Sequence, residues 1–195
     1  MKPARTFPPE HVIFRLLQRI RENGGKPITR THLVKLVYLA DYMYARHTGR
    51  TMTGFEYMWD NYGPNAVGNQ IVKRADQLDQ TGAIQIVETL TSMGNSKFLY
   101  RASEGASTPG LDSLADRIID EAAQAYGTLD WKDVVAISKR TEPMRKAKQG
   151  DLLDLSPNQD LLQEVGVLSE QIAKEPPRRG QLVSLRDLKA RYGAG

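Results

Sequence analysis

Apolar residues recur along this chain in two rhythms, and the places where one gives way to the other mark its elements. Between His11 and Arg21, Ile13, Leu16, Leu17 and Ile20 fall on one helical stripe, and Asn23-Gly24-Gly25 ends the run with residues that tolerate positive φ. Thr29 stands where an N-cap belongs, ahead of Leu33, Leu36, Val37, Ala40 and Tyr44, and a stop is expected near Gly49. From Thr53 to Tyr62 the period shortens to two, with Phe55, Tyr57 and Trp59 on one side and Glu56, Met58 and Asp60 on the other, which predicts a short strand. Gly63-Pro64 breaks it, and Val67, Ile71, Ala75 and Leu78 predict a third helix over 66–80. Two β-prone runs, 83–90 and 97–101, flank a turn centred on Gly94-Asn95 and predict a hairpin. Leu111, Leu114, Ile118, Ile119 and Ala122 predict a further helix ending about Tyr126-Gly127. Asp130 is placed to cap a short one carrying Trp131, Val134, Val135 and Ile137, and Thr141 with Pro143 begins one more turn.

The expected class is therefore α+β and predominantly helical, with about six to eight helices and a small antiparallel hairpin or three-stranded sheet. The character changes after Ser156-Pro157. Leu161, Val165, Leu168 and Ile172 resemble a single heptad seam, Glu175 to Gly180 reads as a linker, and Ser184 to Tyr192 as a terminal amphipathic piece. The reading is a globular domain over 1–155 and a helical, linker-tethered tail over 156–195.

Composition narrows the function classes. With 195 residues and 40% hydrophobic content the chain can bury a sizeable core, and with no cysteine it does so without disulfides, thiolate metal sites or cysteine nucleophiles. It holds no apolar run of about 18 residues, and Lys2, Arg5 and adjacent prolines stand where a signal peptide would be apolar, so a cytoplasmic protein with no membrane partner is expected. The net charge of +4 conceals segregation: residues 1–50, 51–175 and 176–195 balance at +7, −7 and +4. Three histidines without HxxxH spacing do not build a metal centre, and His32 and His47 would lie roughly 22 Å apart on one helix. P-loop, GxGxxG and GxSxG patterns are missing, and the pairs Asp76 with Asp79 and Asp116 with Asp120 read as solvated charge. No cofactor and no enzymatic activity are expected.

The informative constellation begins with Ile28-Thr29-Arg30-Thr31-His32-Leu33-Val34-Lys35-Leu36-Val37-Tyr38-Leu39-Ala40-Asp41-Tyr42 and continues through Phe55 and Trp59 to Tyr62-Gly63-Pro64. This ordered set resembles the Panacea domain of SocA-like, phage-associated antitoxins. That family has a threonine-capped helix with a Lys-Leu-hydrophobic-Tyr-Leu-Ala core, an extended aromatic segment ending in Tyr-Gly-Pro, then a helix, a glycine turn and a short β segment. The resemblance runs from about Ile28 to Leu155, with Trp131, Ser138 and Thr141-Glu142-Pro143 similar to its closing helices, and marks Thr29, Lys35, Tyr38, Gly63 and Pro64 as its structural motif. Asn65 departs from the apolar or aromatic residue usual after that proline. The resemblance implies an antitoxin of a type II module that binds and blocks a protein toxin, or an adaptor that delivers the toxin to a protease.

Candidate contact residues are Tyr38, Tyr42, Trp59 and Tyr62, since Tyr and Trp are enriched at binding centres, although aromatics beside helical stripes are more often core. In the tail, Leu182, Leu185, Leu188 and Tyr192 form a docking stripe for the toxin, for a second copy, or for the chain's own domain. A competing reading is a DNA-binding regulator of winged-helix-like layout, with the helix over 30–46 reading DNA, the 83–101 hairpin as wing, and Arg15, Arg19, Arg21, Lys26, Arg30, Lys35, Arg46 and Arg50 facing phosphates. Against it, no helix-turn-helix glycine turn stands out and the middle of the chain is acidic.

Overall fold

The computed structural model describes residues 6–107 and 110–156. The expected seam, linker and terminal piece, with Leu185, Leu188 and Tyr192, lie outside the described residues. Within them the chain runs α1 (Pro9–Glu22), β1 (Ile28–Thr29), α2 (Arg30–Thr48), β2 (Tyr57–Asp60), β3 (Gly63–Ala66), a 3-10 turn (Val67–Asn69), α3 (Gln70–Gln80), β4 (Ile84–Leu90), β5 (Ser96–Ala102), α4 (Ser113–Tyr126), α5 (Trp131–Lys139) and α6 (Glu142–Lys146). The class is α+β and mostly helical.

The helix ends follow from capping chemistry. Thr29 accepts from the His32 N–H, Asp112 from Ala115 and Asp130 from Lys132, each satisfying one orphan donor of a first turn. Gly49 closes α2 in the left-handed region at φ 78, where a Cβ would be strained. α2 is the central helix. It buries residues on every side, from His32 to Ala45, and α1, α4 and α5 pack about it with the sheet β1-β5-β4 and the hairpin β2-β3. At roughly 1.5–3 kcal/mol per large buried side chain, Phe14, Leu16, Leu33, Leu36, Tyr44 and Ile71, all exposed by 2% or less, make this interior the main source of stability.

Two elements differ from the sequence reading. Gly63-Pro64 does not end the extended segment but begins β3, which returns antiparallel along β2 with Trp59 opposite Pro64. Alternation in the ladder explains why proline is tolerated: the Val67 N–H donates to Glu56, so residues two apart from that pair bond across the ladder and Pro64 falls at a position whose N–H would face away. β1, at Ile28–Thr29, is not among the expected strands; it pairs with β5 and makes the sheet the three-stranded one of the two expected forms. On its other edge β2 is bonded to the 150–153 segment, through Trp59 N–H to Asp151 and Leu153 N–H to Tyr57.

Of the acids expected to be solvated, Asp76 is exposed, whereas Asp116 and Asp120 are ion-paired. Asp116 takes a two-point contact from Arg15 (2.8 and 2.9 Å) and Arg19 pairs with Asp120, so these charges join α1 to α4. Asp79 accepts from the Ile86 N–H at the edge of β4. Among the described residues no helix is long and apolar enough to cross a membrane.

Candidate functional site

A helix buried on every side must satisfy its polar side chains inside the fold. Between Val34 and Tyr44 only Lys35 and Asp41 are charged, and they are 3% and 0% exposed. Asp41 Oδ1 accepts from the backbone N–H groups of Met52 (2.8 Å) and Thr53 (3.1 Å), and Oδ2 accepts from the Tyr57 hydroxyl (2.7 Å) and the Thr53 hydroxyl. Burial pushes the carboxyl up to about 6, and those hydrogen bonds act in the opposite sense. The carboxylate thus ties the loop after α2 to β2.

The Tyr57 ring meets Tyr38 edge-on with centroids 5.1 Å apart. The Tyr38 hydroxyl lies 2.6 Å from Thr141 Oγ1, and because Thr141 Oγ1 donates to the Ser138 carbonyl (2.8 Å), Tyr38 supplies the proton between them. Burial raises both phenols above their ordinary range, with the neighbouring Asp41 charge adding to the effect at Tyr57. Both therefore stay protonated donors at neutral pH. One turn earlier, Lys35 Nζ donates to the Pro64 carbonyl at 2.7 Å. That carbonyl needs a partner because the same alternation that excuses the missing N–H of Pro64 turns its oxygen away from β2. Burial lowers the Lys35 ammonium to about 8, with Asp60 pulling it up and Lys139 pushing it down. Gly63 holds φ 95, and a Cβ there would lie 3.2 Å from Lys139 Cγ. At the start of α2, His32 Nε2 lies 3.1 Å from the Tyr126 carbonyl, to which its N–H donates, while burial lowers the pKa of the ring.

Four polar side chains of α2 thus fasten four other parts of the fold: the end of α4, β3, the Thr141 cap of α6, and the loop leading to β2. Each meets a protein partner, so the chemistry of this network is positioning. A cleft of about 360 Å³ opens beside it, lined by Gly49–Thr51, Phe55–Tyr57 and 152–156, with Arg50, Glu56 and Asp154 as its charged lining.

The expected contact residues divide. Tyr38 is fully buried and belongs to this network, a polar lock centred on α2, with Tyr42 stacked on it at 6.3 Å and 11°. Tyr42 and Trp59 are half-buried against the core, whereas Tyr62, at the β2-β3 turn, is 67% exposed. Thr29, Lys35, Gly63 and Pro64 hold the frame as cap, buried cation, left-handed turn and acceptor. The stretch from α2 to α6 that contains most of this lock is also the stretch matched, over residues 33–143, by the family model described as antitoxin SocA-like, Panacea domain. The chain belongs to that family. No curated protein and no solved structure matches it. Within this Panacea domain, Asp41, Thr53 and Tyr57 escaped the sequence reading. A lone acid in the apolar run 34–44 was a signal for Asp41; nothing local marked Thr53 or Tyr57 as its partners.

Proposed function

We propose that this Panacea-domain chain is the antitoxin of a type II toxin–antitoxin pair, and that it neutralises a protein toxin by binding it directly, without turnover. The family match over residues 33–143 carries the reading. The lock supports it: the motif's polar groups are committed to internal partners, which leaves recognition to outward-facing side chains such as Tyr62 and the rims of Tyr42 and Trp59. The DNA-binding alternative draws less support. α2 is enclosed by other elements and offers no free face to a major groove, and Arg15 and Arg19 are held by Asp116 and Asp120.

Co-expression with the product of the adjacent gene tests the proposal. Growth arrest by that product alone and recovery with this chain are expected; a harmless neighbour, or one that stays toxic beside this chain, defeats it. Toxin abundance in recovered cells separates occlusion, which leaves it unchanged, from delivery to a protease, which lowers it.

A further inference from the structure

Ladder parity also exposes an unused edge. The Ser103 N–H donates to Ala83 and the Thr91 N–H to Asn95, so the odd-numbered residues of β4 bond to β5 and Ile84, Ile86, Glu88 and Leu90 turn their backbone groups outward. β4 is an outer strand of its sheet. Its first half is closed, because Asp79 of α3 accepts from the Ile86 N–H. Among the described residues nothing bonds to its second half at Glu88 and Leu90, and there the apolar side chains are turned outward: Val87, Leu90 and Met93 are 49%, 70% and 83% exposed. Open edges of this kind are a pairing hazard that soluble proteins blunt with charge, a bulge or a cover. Here one half is capped, and the other carries the single charge of Glu88 among exposed apolar groups.

Charge indicates the occupant. The outer face of β4 and β5 carries Gln85, Val87, Thr89, Lys97, Leu99 and Arg101, two cations and no acid, with Val87 opposite Leu99. A second copy fits poorly: a two-fold axis at Glu88 sets glutamates against each other, one at Thr89 pairs only Glu88 with Leu90, and one at Leu90 pairs only Leu90 with itself, since β4 ends there and Asp79 occupies the Ile86 donor. We infer that the open half of β4 takes an extended segment of the partner protein as a fourth strand, one bearing apolar side chains for Val87, Leu90 and Met93 and a carboxylate for Lys97, which lies opposite Thr89. This rests on the antitoxin reading, with the toxin as that partner.

Hydrogen exchange on the full chain, alone and with the adjacent gene's product, tests it. The Glu88 and Leu90 amides, fast-exchanging in the free chain, slow at least tenfold in the complex. Leu90→Pro removes an N–H that makes no ladder bond and Leu90→Asp removes the apolar anchor; each weakens association at least tenfold, with thermal midpoints confirming that both variants fold. A complex that forms with those amides still fast, or is unaffected by both variants, overturns the inference and leaves the antitoxin reading standing. Failure of the unmodified chain to form any complex overturns both. Protection that appears in the chain alone and grows with its concentration assigns the edge to a second copy and overturns the partner-protein assignment.

Discussion

Replacing Asp41 separates a fully bonded buried carboxylate from a merely polar one. In Asp41→Ala the N–H groups of Met52 and Thr53 and the hydroxyls of Thr53 and Tyr57 lose their acceptor. At roughly 2 kcal/mol per orphaned buried donor the loss is about 8 kcal/mol. Against this, ionisation at neutral pH disfavours the fold, since burial moves the carboxyl from 3.8 to about 6; removing it returns about 3 kcal/mol and leaves a net loss of about 5. Asp41→Asn keeps the oxygen for the two backbone donors and turns its amide to two hydroxyls that are able to accept, so its net loss is about 1 kcal/mol. The pH dependence has a definite sign. As pH falls from above 6 towards 4, folded Asp41 takes up a proton before the unfolded chain does, so the parent gains about 3 kcal/mol relative to Asp41→Asn. Urea unfolding of the three proteins at pH 4 to 8, followed by the fluorescence of Trp59 and Trp131, measures both effects. Equal losses for the two variants, or a parent-to-Asn difference that stays flat with pH, would refute the reasoning.

Other positions of the lock give sharper signs than sizes. Gly63→Ala places a Cβ at φ 95 and 3.2 Å from Lys139 Cγ, and a loss of about 1–3 kcal/mol in urea unfolding is expected. Lys35→Met removes an ammonium whose burial lowers it to about 8 from 10.5; because the folded chain releases that proton first, the parent gains about 3 kcal/mol on the variant as pH rises from 8 to 10.5, read from unfolding at the two ends of that window. Tyr62→Ala leaves the unfolding midpoint unchanged while Tyr38→Phe, which strips the donor to Thr141, lowers stability by about 1 kcal/mol, so a stability loss for Tyr62→Ala alone would invert the assignment of core and surface.

Periodicity and capping made most of the helices legible in advance. Ile13, Leu16, Leu17 and Ile20 face the core of α1, and Thr29, Asp130 and Gly49 sit at helix ends because short-range chemistry decides those points. Long-range pairing was not legible. Arg15 meets Asp116, 101 residues further along the chain, and Asp41 finds Thr53 and Tyr57 only once the loop after α2 closes. β3 was hidden for a different reason: Gly-Pro signals a break, and only ladder alternation shows that Pro64 occupies a position needing no donor. Among the four aromatic candidates, burial separates Tyr38, inside, from Tyr62, outside, a distinction their sequence positions do not carry.

Titration of the purified adjacent gene product with the purified full chain, by calorimetry and in parallel with a cell-free assay of the toxin's effect, bears most directly on the proposal that this protein works through surface contact. A stoichiometric complex is predicted, with the toxic effect falling in step with occupancy. Recovery of growth in cells without any binding between the purified proteins would contradict direct neutralisation.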